Sequence, residues 1–133
     1  MNSRHIILLC ISLIIVSCSN VHHDEKIVIL NSKVFIDKDN HDYELCNDFI
    51  LQDSEIKKYF LISENVSDYD FNAKAIIMPC GVSGQIYMEG KTYSYEITAA
   101  GAGYIFDEKG WPVKKYLCSN AVCCKEFPIM CTE

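Results

Sequence analysis

Gln85-Ile86-Tyr87-Met88-Glu89-Gly90-Lys91-Thr92-Tyr93-Ser94-Tyr95-Glu96-Ile97 decides the fold class, because apolar and polar side chains alternate on both sides of one glycine. A period of two puts successive side chains on opposite faces of a strand, so the segment predicts a β-hairpin. Two registers are open. A two-residue loop at Glu89-Gly90 gathers Ile86, Met88, Tyr93, Tyr95 and Ile97 on one face, but it requires a glutamate at positive φ. A three-residue loop with Gly90 in a left-handed bulge groups Tyr87, Tyr93, Tyr95 and Ile97 and leaves Ile86 and Met88 on the other side. The first gives the cleaner core and the second the better turn chemistry.

Downstream, Ala99-Ala100-Gly101-Ala102-Gly103 has the glycine spacing that begins a dinucleotide fingerprint, but Phe106 stands where the third glycine belongs. The following Tyr104-Ile105-Phe106, Asp107-Glu108-Lys109-Gly110 and Trp111 predict strand, turn and strand, and the small residues mark close backbone packing or a bend. Upstream, Ala73 to Pro79 predicts a strand ending near Cys80. Asp53 or Ser54 can cap a helix running to about Ser63, with Ile56, Tyr59 and Phe60 on one face and Asn65 as the stop.

Lys26 to Leu30 and Lys33 to Ile36 predict extended chain, Asp37-Lys38-Asp39-Asn40 a hairpin turn, and His41 to Cys46 a return to extended structure. A calcium loop starting at Asp37 would need glycine where Asp42 stands and glutamate where Asp48 stands. The expected fold is α+β: a small antiparallel β-sheet of hairpins or a meander, with one short helix, stabilised by disulfides.

The first residues are of another kind. Met1 to His5 is polar and carries Arg4, the sole arginine, and Ile6 to Val16 is an apolar run interrupted only by Cys10 and Ser12. It is shorter than the roughly 20 residues a bilayer span needs and fits the apolar part of a signal peptide. The run ends in Ile15-Val16-Ser17-Cys18, which resembles the lipobox of bacterial lipoproteins. The resemblance implies cleavage before Cys18, a diacylglyceryl group on its thiol and a further acyl chain such as palmitate on the new N-terminus. Residues 1–17 are then a signal peptide, 18–25 the lipidated cysteine and tether, and 26–133 a single disulfide-rich domain. In a Gram-negative cell, Ser19 after the cysteine implies sorting to the outer membrane, facing periplasm or surface.

Six cysteines remain: Cys46, Cys80, Cys118, Cys123, Cys124 and Cys131. An even number in an exported domain predicts up to three disulfides, with fifteen possible pairings. The tail spacing lacks paired Cys-x2-Cys halves and no histidine follows His41, so no zinc site is expected. Cys123 and Cys124 point in different directions on extended chain and should take different partners. Bridges from the tail to Cys46 or Cys80 would staple it to the core.

All 18 carboxylates lie after Cys18, against eleven lysines in the same segment. Such a surface disfavours nucleic acid, and neither a cofactor motif nor a metal site is expected. There is no Gly-x-Ser-x-Gly, His-Glu-x-x-His or phosphate loop, and His22 and His23 fall in the tether, so catalysis is not expected. The reading that remains is a protein-binding module held at a bilayer through acylated Cys18, of inhibitor or immunity type; a structural or assembly lipoprotein is the alternative. Tyr87 and the turn bearing Asp107, Glu108 and Trp111 are the candidate contacts, since aromatic side chains dominate binding hot spots.

Overall fold

The structure, a computed structural model, describes residues 26–46 and 48–131. Six strands form one antiparallel sheet: β1 (Val28–Ile36), β2 (Glu64–Val66), β3 (Cys80–Met88), β4 (Lys91–Thr98), β5 (Ala102–Phe106) and β6 (Pro112–Leu117), in the order β1-β3-β4-β5-β6-β2. The α+β class and the antiparallel, disulfide-stabilised sheet are as expected. In place of one helix, the described residues form three α-helices, α1 (Asp53–Ile62), α2 (Asp68–Lys74) and α3 (Ala121–Glu126), and two 3-10 turns, His41–Cys46 and Pro128–Met130.

The central hairpin takes the two-residue loop. Met88 pairs with Lys91 and Ile86 with Tyr93, with Glu89 at φ 51° and Gly90 at φ 78°. Two positive φ values are what a type I′ turn demands. Left-handed backbone costs glutamate roughly 1–2 kcal/mol. The register in return buries Ile86 and Met88 beside Tyr95 and Ile97, and each such side chain is worth about 1.5–3 kcal/mol. Core burial therefore outweighs turn chemistry.

That buried face receives α1. Ile56, Tyr59 and Phe60 point into the sheet at helical spacing, and Phe60 makes edge contacts with Tyr95 and Tyr116 at ring separations of 5.8 and 5.2 Å. The helix starts one residue earlier than expected, with Gln52 as the cap, because the Glu55 carboxylate accepts from the Gln52 N–H at 2.7 Å. The hydroxyl end of Tyr59 lies against Gly103, where a Cβ would come within 2.4 Å of its hydroxyl oxygen, and that hydroxyl donates to the Gly101 carbonyl at 2.9 Å. The small residues thus serve packing at Gly103 and a turn at Gly101, whose φ is 85°.

Five sequence expectations are corrected. Ala73 to Pro79 is not a strand: Ser67 accepts from the Asp70 N–H at 3.1 Å and caps α2, which continues to Lys74, and pairing begins only at Cys80. His41 to Cys46 is a 3-10 turn, and Asp37 to Asn40 is no hairpin, since β1 pairs with β3 across the helices. The two runs before it merge into one strand with an irregularity between Ile29 and Asn31.

The fifth correction concerns the bridges. Cys46 bonds Cys80, Cys118 bonds Cys123 and Cys124 bonds Cys131. The adjacent Cys123 and Cys124 do take different partners, but no bridge runs from the tail to Cys46 or Cys80. The tail is held to the core by packing, with Cys123, Phe127 and Met130 buried in it. Asn120 adds a polar joint: its side chain caps α3 by accepting from the Cys123 N–H at 2.8 Å and donates to the Ile62 carbonyl at 2.9 Å.

Candidate functional site

Strand directions give the sheet two unlike ends. At one lie the β3–β4 turn, the β5–β6 turn and the start of β1, where Val28 pairs with Tyr87. At the other lie the end of β1, the β4–β5 turn and all three disulfides: Ile36 pairs with Cys80, Cys118 donates its N–H to Gly101 at 3.0 Å, and Met130 packs on Gly101. The first is called the entry end and the second the bridged end.

The entry end carries the expected contacts but does not assemble them. Asp107 and Glu108 line a hollow of about 620 Å³ with Lys91, Thr92, Tyr93 and Lys109. Tyr87 and Trp111 are not in its wall. One Asp107 carboxylate oxygen accepts from the N–H groups of Lys109 and Trp111, both at 2.9 Å, so this side chain builds the turn. Trp111 stands 68% exposed, held out by that turn. Glu89 pairs with Lys114 across the neighbouring hairpin.

The bridged end has a different surface. Asp37, Asp39, Asp42, Glu44 and Asp48 are exposed along the segment that follows β1, with Lys38 the one cation among them. Beside them Leu45 (72% exposed) and Ile129 (68% exposed) flank a hollow of about 190 Å³ floored by Phe49, Met78, Ala99 and Ala100. Ile76 lines a second hollow, of about 200 Å³, that shares Ala100 with the first. The Cys46–Cys80 bridge fixes this surface by tying the acidic segment to the start of β3. Sequence reasoning missed it. The signal was present, since Leu45 and Ile129 each sit within two residues of a cysteine, but only the bridge pairing brings them together.

A third feature lies on the sheet face away from α1. Cross-strand pairing sets Lys33, Ser83, Glu96, Tyr104 and Lys115 in one row. Glu96 is half-buried, and burial raises its carboxyl above the ordinary range; burial and the Glu96 charge also raise the Tyr104 hydroxyl. Lys115 pairs with Asp68 at 3.0 Å and lies 5.3 Å over the Phe71 ring. The neighbours of Glu96 across the strands are Ser83 and Tyr104. His41 is exposed, 3.2 Å from Asp42.

All six cysteines singled out in the sequence are bridged. Cys18, the signal segment and the tether with His22 and His23 lie outside the described residues. Comparison with protein-family models, with curated proteins and with solved structures finds no match to this chain.

Proposed function

We propose that the chain is a lipid-anchored protein-binding module that receives a basic partner at its bridged end. The observation that carries this reading is the exposed pair Leu45 and Ile129 over an apolar hollow, bordered by five carboxylates. Exposed apolar side chains that share a concave floor supply contact area, and the acidic border supplies steering and selection for a positively charged protein. The three disulfides lower the ordering cost of binding, because the surface is covalently set before the partner arrives.

The anchor follows from the lipobox, with Cys18 acylated and the domain held in the cell envelope, on the outer membrane in a Gram-negative cell. A small acidic module held there suits the inhibitor or immunity-type role, in which the acidic border meets a basic active site or toxin surface. Contact made chiefly through Trp111 and Tyr87 would return the site to the entry end. A structural or assembly role would engage the open face around Glu96, Tyr104 and Phe106.

Site-specific photo-crosslinking in living cells separates these outcomes. A crosslinker at position 45 or 129 should capture a basic protein, and the purified pair should dissociate more readily as salt rises. Capture at position 111 or 106 with none at 45 or 129 would reject the bridged end as the site.

A further inference from the structure

We infer that the entry end of the sheet faces the bilayer and that Trp111 seats in the lipid–water interface, which rests on the acylation of Cys18 proposed above. Two observations bear on it. Val28, at the start of β1, pairs with Tyr87 beside the Glu89-Gly90 turn, so the chain reaches the sheet at the end that holds both turns. At that end the turn framed by Asp107 projects the largest exposed aromatic side chain of the described residues away from the core.

Covalent geometry limits the alternatives. From Cys18 to Lys26 the chain can span at most about 28 Å. Along β1 the bridged end lies about 26 Å further from the anchor. Bringing the bridged end to the membrane would require the tether to run almost fully extended back along the domain. The entry end lies within the ordinary reach of the acyl chains.

The chemistry of the two ends agrees with that placement. Tryptophan favours the interface because its ring is apolar while its N–H can still bond to water or headgroups. Around Trp111 the entry end carries Lys91, Lys109 and Lys114 against Glu89, Asp107 and Glu108, and in sequence Asp24 and Glu25 precede Lys26 at the start of the domain. Glu89 is neutralised by Lys114, and Asp107 spends an oxygen on two backbone N–H groups. At the bridged end the segment after β1, with five carboxylates against Lys38, is repelled by anionic headgroups, while Lys74 lines the second hollow there. The module therefore stands with its acidic, apolar-floored end pointing away from the membrane, toward an arriving protein.

Trp111 is the single tryptophan of the chain, so its fluorescence reports this contact directly. The acylated protein, purified from membranes, is reconstituted into vesicles of phosphatidylethanolamine and phosphatidylglycerol, with and without brominated acyl chains. Brominated lipid should quench Trp111 by about twofold or more and the vesicles should shield it from acrylamide. The double variant Trp111→Phe with Leu45→Trp moves the reporter to the bridged end and should show neither effect. Equal emission of Trp111 in both vesicle types, or equal quenching at position 45, overturns the orientation while leaving the anchor intact. Protein that carries no acyl mass and does not float with vesicles overturns the anchor, and the orientation with it.

Discussion

The two ends of the sheet are held by different means. At the entry end the turns close on local, non-covalent chemistry: two positive φ values at Glu89 and Gly90, and an aspartate carboxylate that accepts two N–H groups at 107–111. At the bridged end the chain has long irregular connections, and every disulfide of the structure is there. Hydrogen-bonded hairpin turns span two to five residues. The stretch from Ile36 to Cys80 crosses to the far edge of the sheet, where β2 pairs with β6, and returns beside its own starting point, so a covalent tie does what a turn cannot. The contrast teaches that the Cys46–Cys80 bridge does for a long connection what a tight turn does for a hairpin, and that it lies beside the exposed Leu45 and Ile129.

The sharpest way to break the comparison is to remove the bridges. The Cys46–Cys80 bridge closes a sequence separation of 34 residues, and chain entropy assigns it about 4 kcal/mol. The tail bridges, with separations of 5 and 7, are worth about 2 kcal/mol each. Denaturant unfolding of the paired Cys→Ser variants should rank them in that order, with Cys46→Ser/Cys80→Ser lowest. Similar losses for all three pairs would show that the long connection is already ordered in the unfolded chain.

A smaller effect is expected where α1 meets the bridged end. Gly103→Ala places a methyl group against the Tyr59 ring, and overpacking of this kind costs about 1–3 kcal/mol. Calorimetry should show a clear fall in Tm. An unchanged Tm would mean that α1 can lift from the sheet freely.

The same helix interface gives a pH dependence. Burial raises the hydroxyl of Tyr59 well above its ordinary value, and burial with the nearby Asp53 charge pushes Tyr95 up to about 12. Both folded values exceed the unfolded value near 10, so the stability from keeping these groups neutral is fully present below pH 10 and is lost as pH rises through the folded values. Unfolding midpoints measured from pH 8 upward should fall steeply above pH 10, and Tyr95→Phe should flatten the early part of that fall. A flat profile would sink the assignment.

The smallest effect belongs to the entry end. Glu89→Asn replaces a residue that resists left-handed backbone with one that tolerates it, and a gain below about 1 kcal/mol is expected after loss of the exposed Lys114 pair. A loss of stability would mean that the ion pair, not the turn, sets this end.

What the sequence displayed was periodicity. Ile56, Tyr59 and Phe60 made α1 visible, and the alternation around Gly90 made the central hairpin visible, because each pattern is complete within a dozen residues. The register was open because its deciding term, burial of Ile86 and Met88 under α1, is tertiary. β2 has only three residues, Glu64 to Val66, and is a strand only because β6 offers an edge. Ala75 to Pro79 looks like a strand on composition, yet α2 consumes its first partner positions and Ile76 and Ile77 are left exposed. Among the candidate contacts, Trp111 was found as an exposed residue, whereas Asp107 proved to be part of the turn itself. The bridged-end surface was illegible because fifteen pairings were open and only the three that contain Cys46–Cys80 tie Leu45 to the side of Ala99.

The pairing of β1 with β3 also sets an order of events. A chain that emerges N-terminus first delivers β1 long before its partner, since roughly fifty residues separate paired positions and such non-local pairing is slow. At synthesis rates of about 5–20 residues per second, β1 waits for several seconds with both edges open. During that interval Lys33 and the irregularity after Ile29 are its local guards against pairing with another chain. Oxidation of Cys46 with Cys80 ends the interval, because Ile36 then lies beside Cys80 and the edge is closed on one side for good.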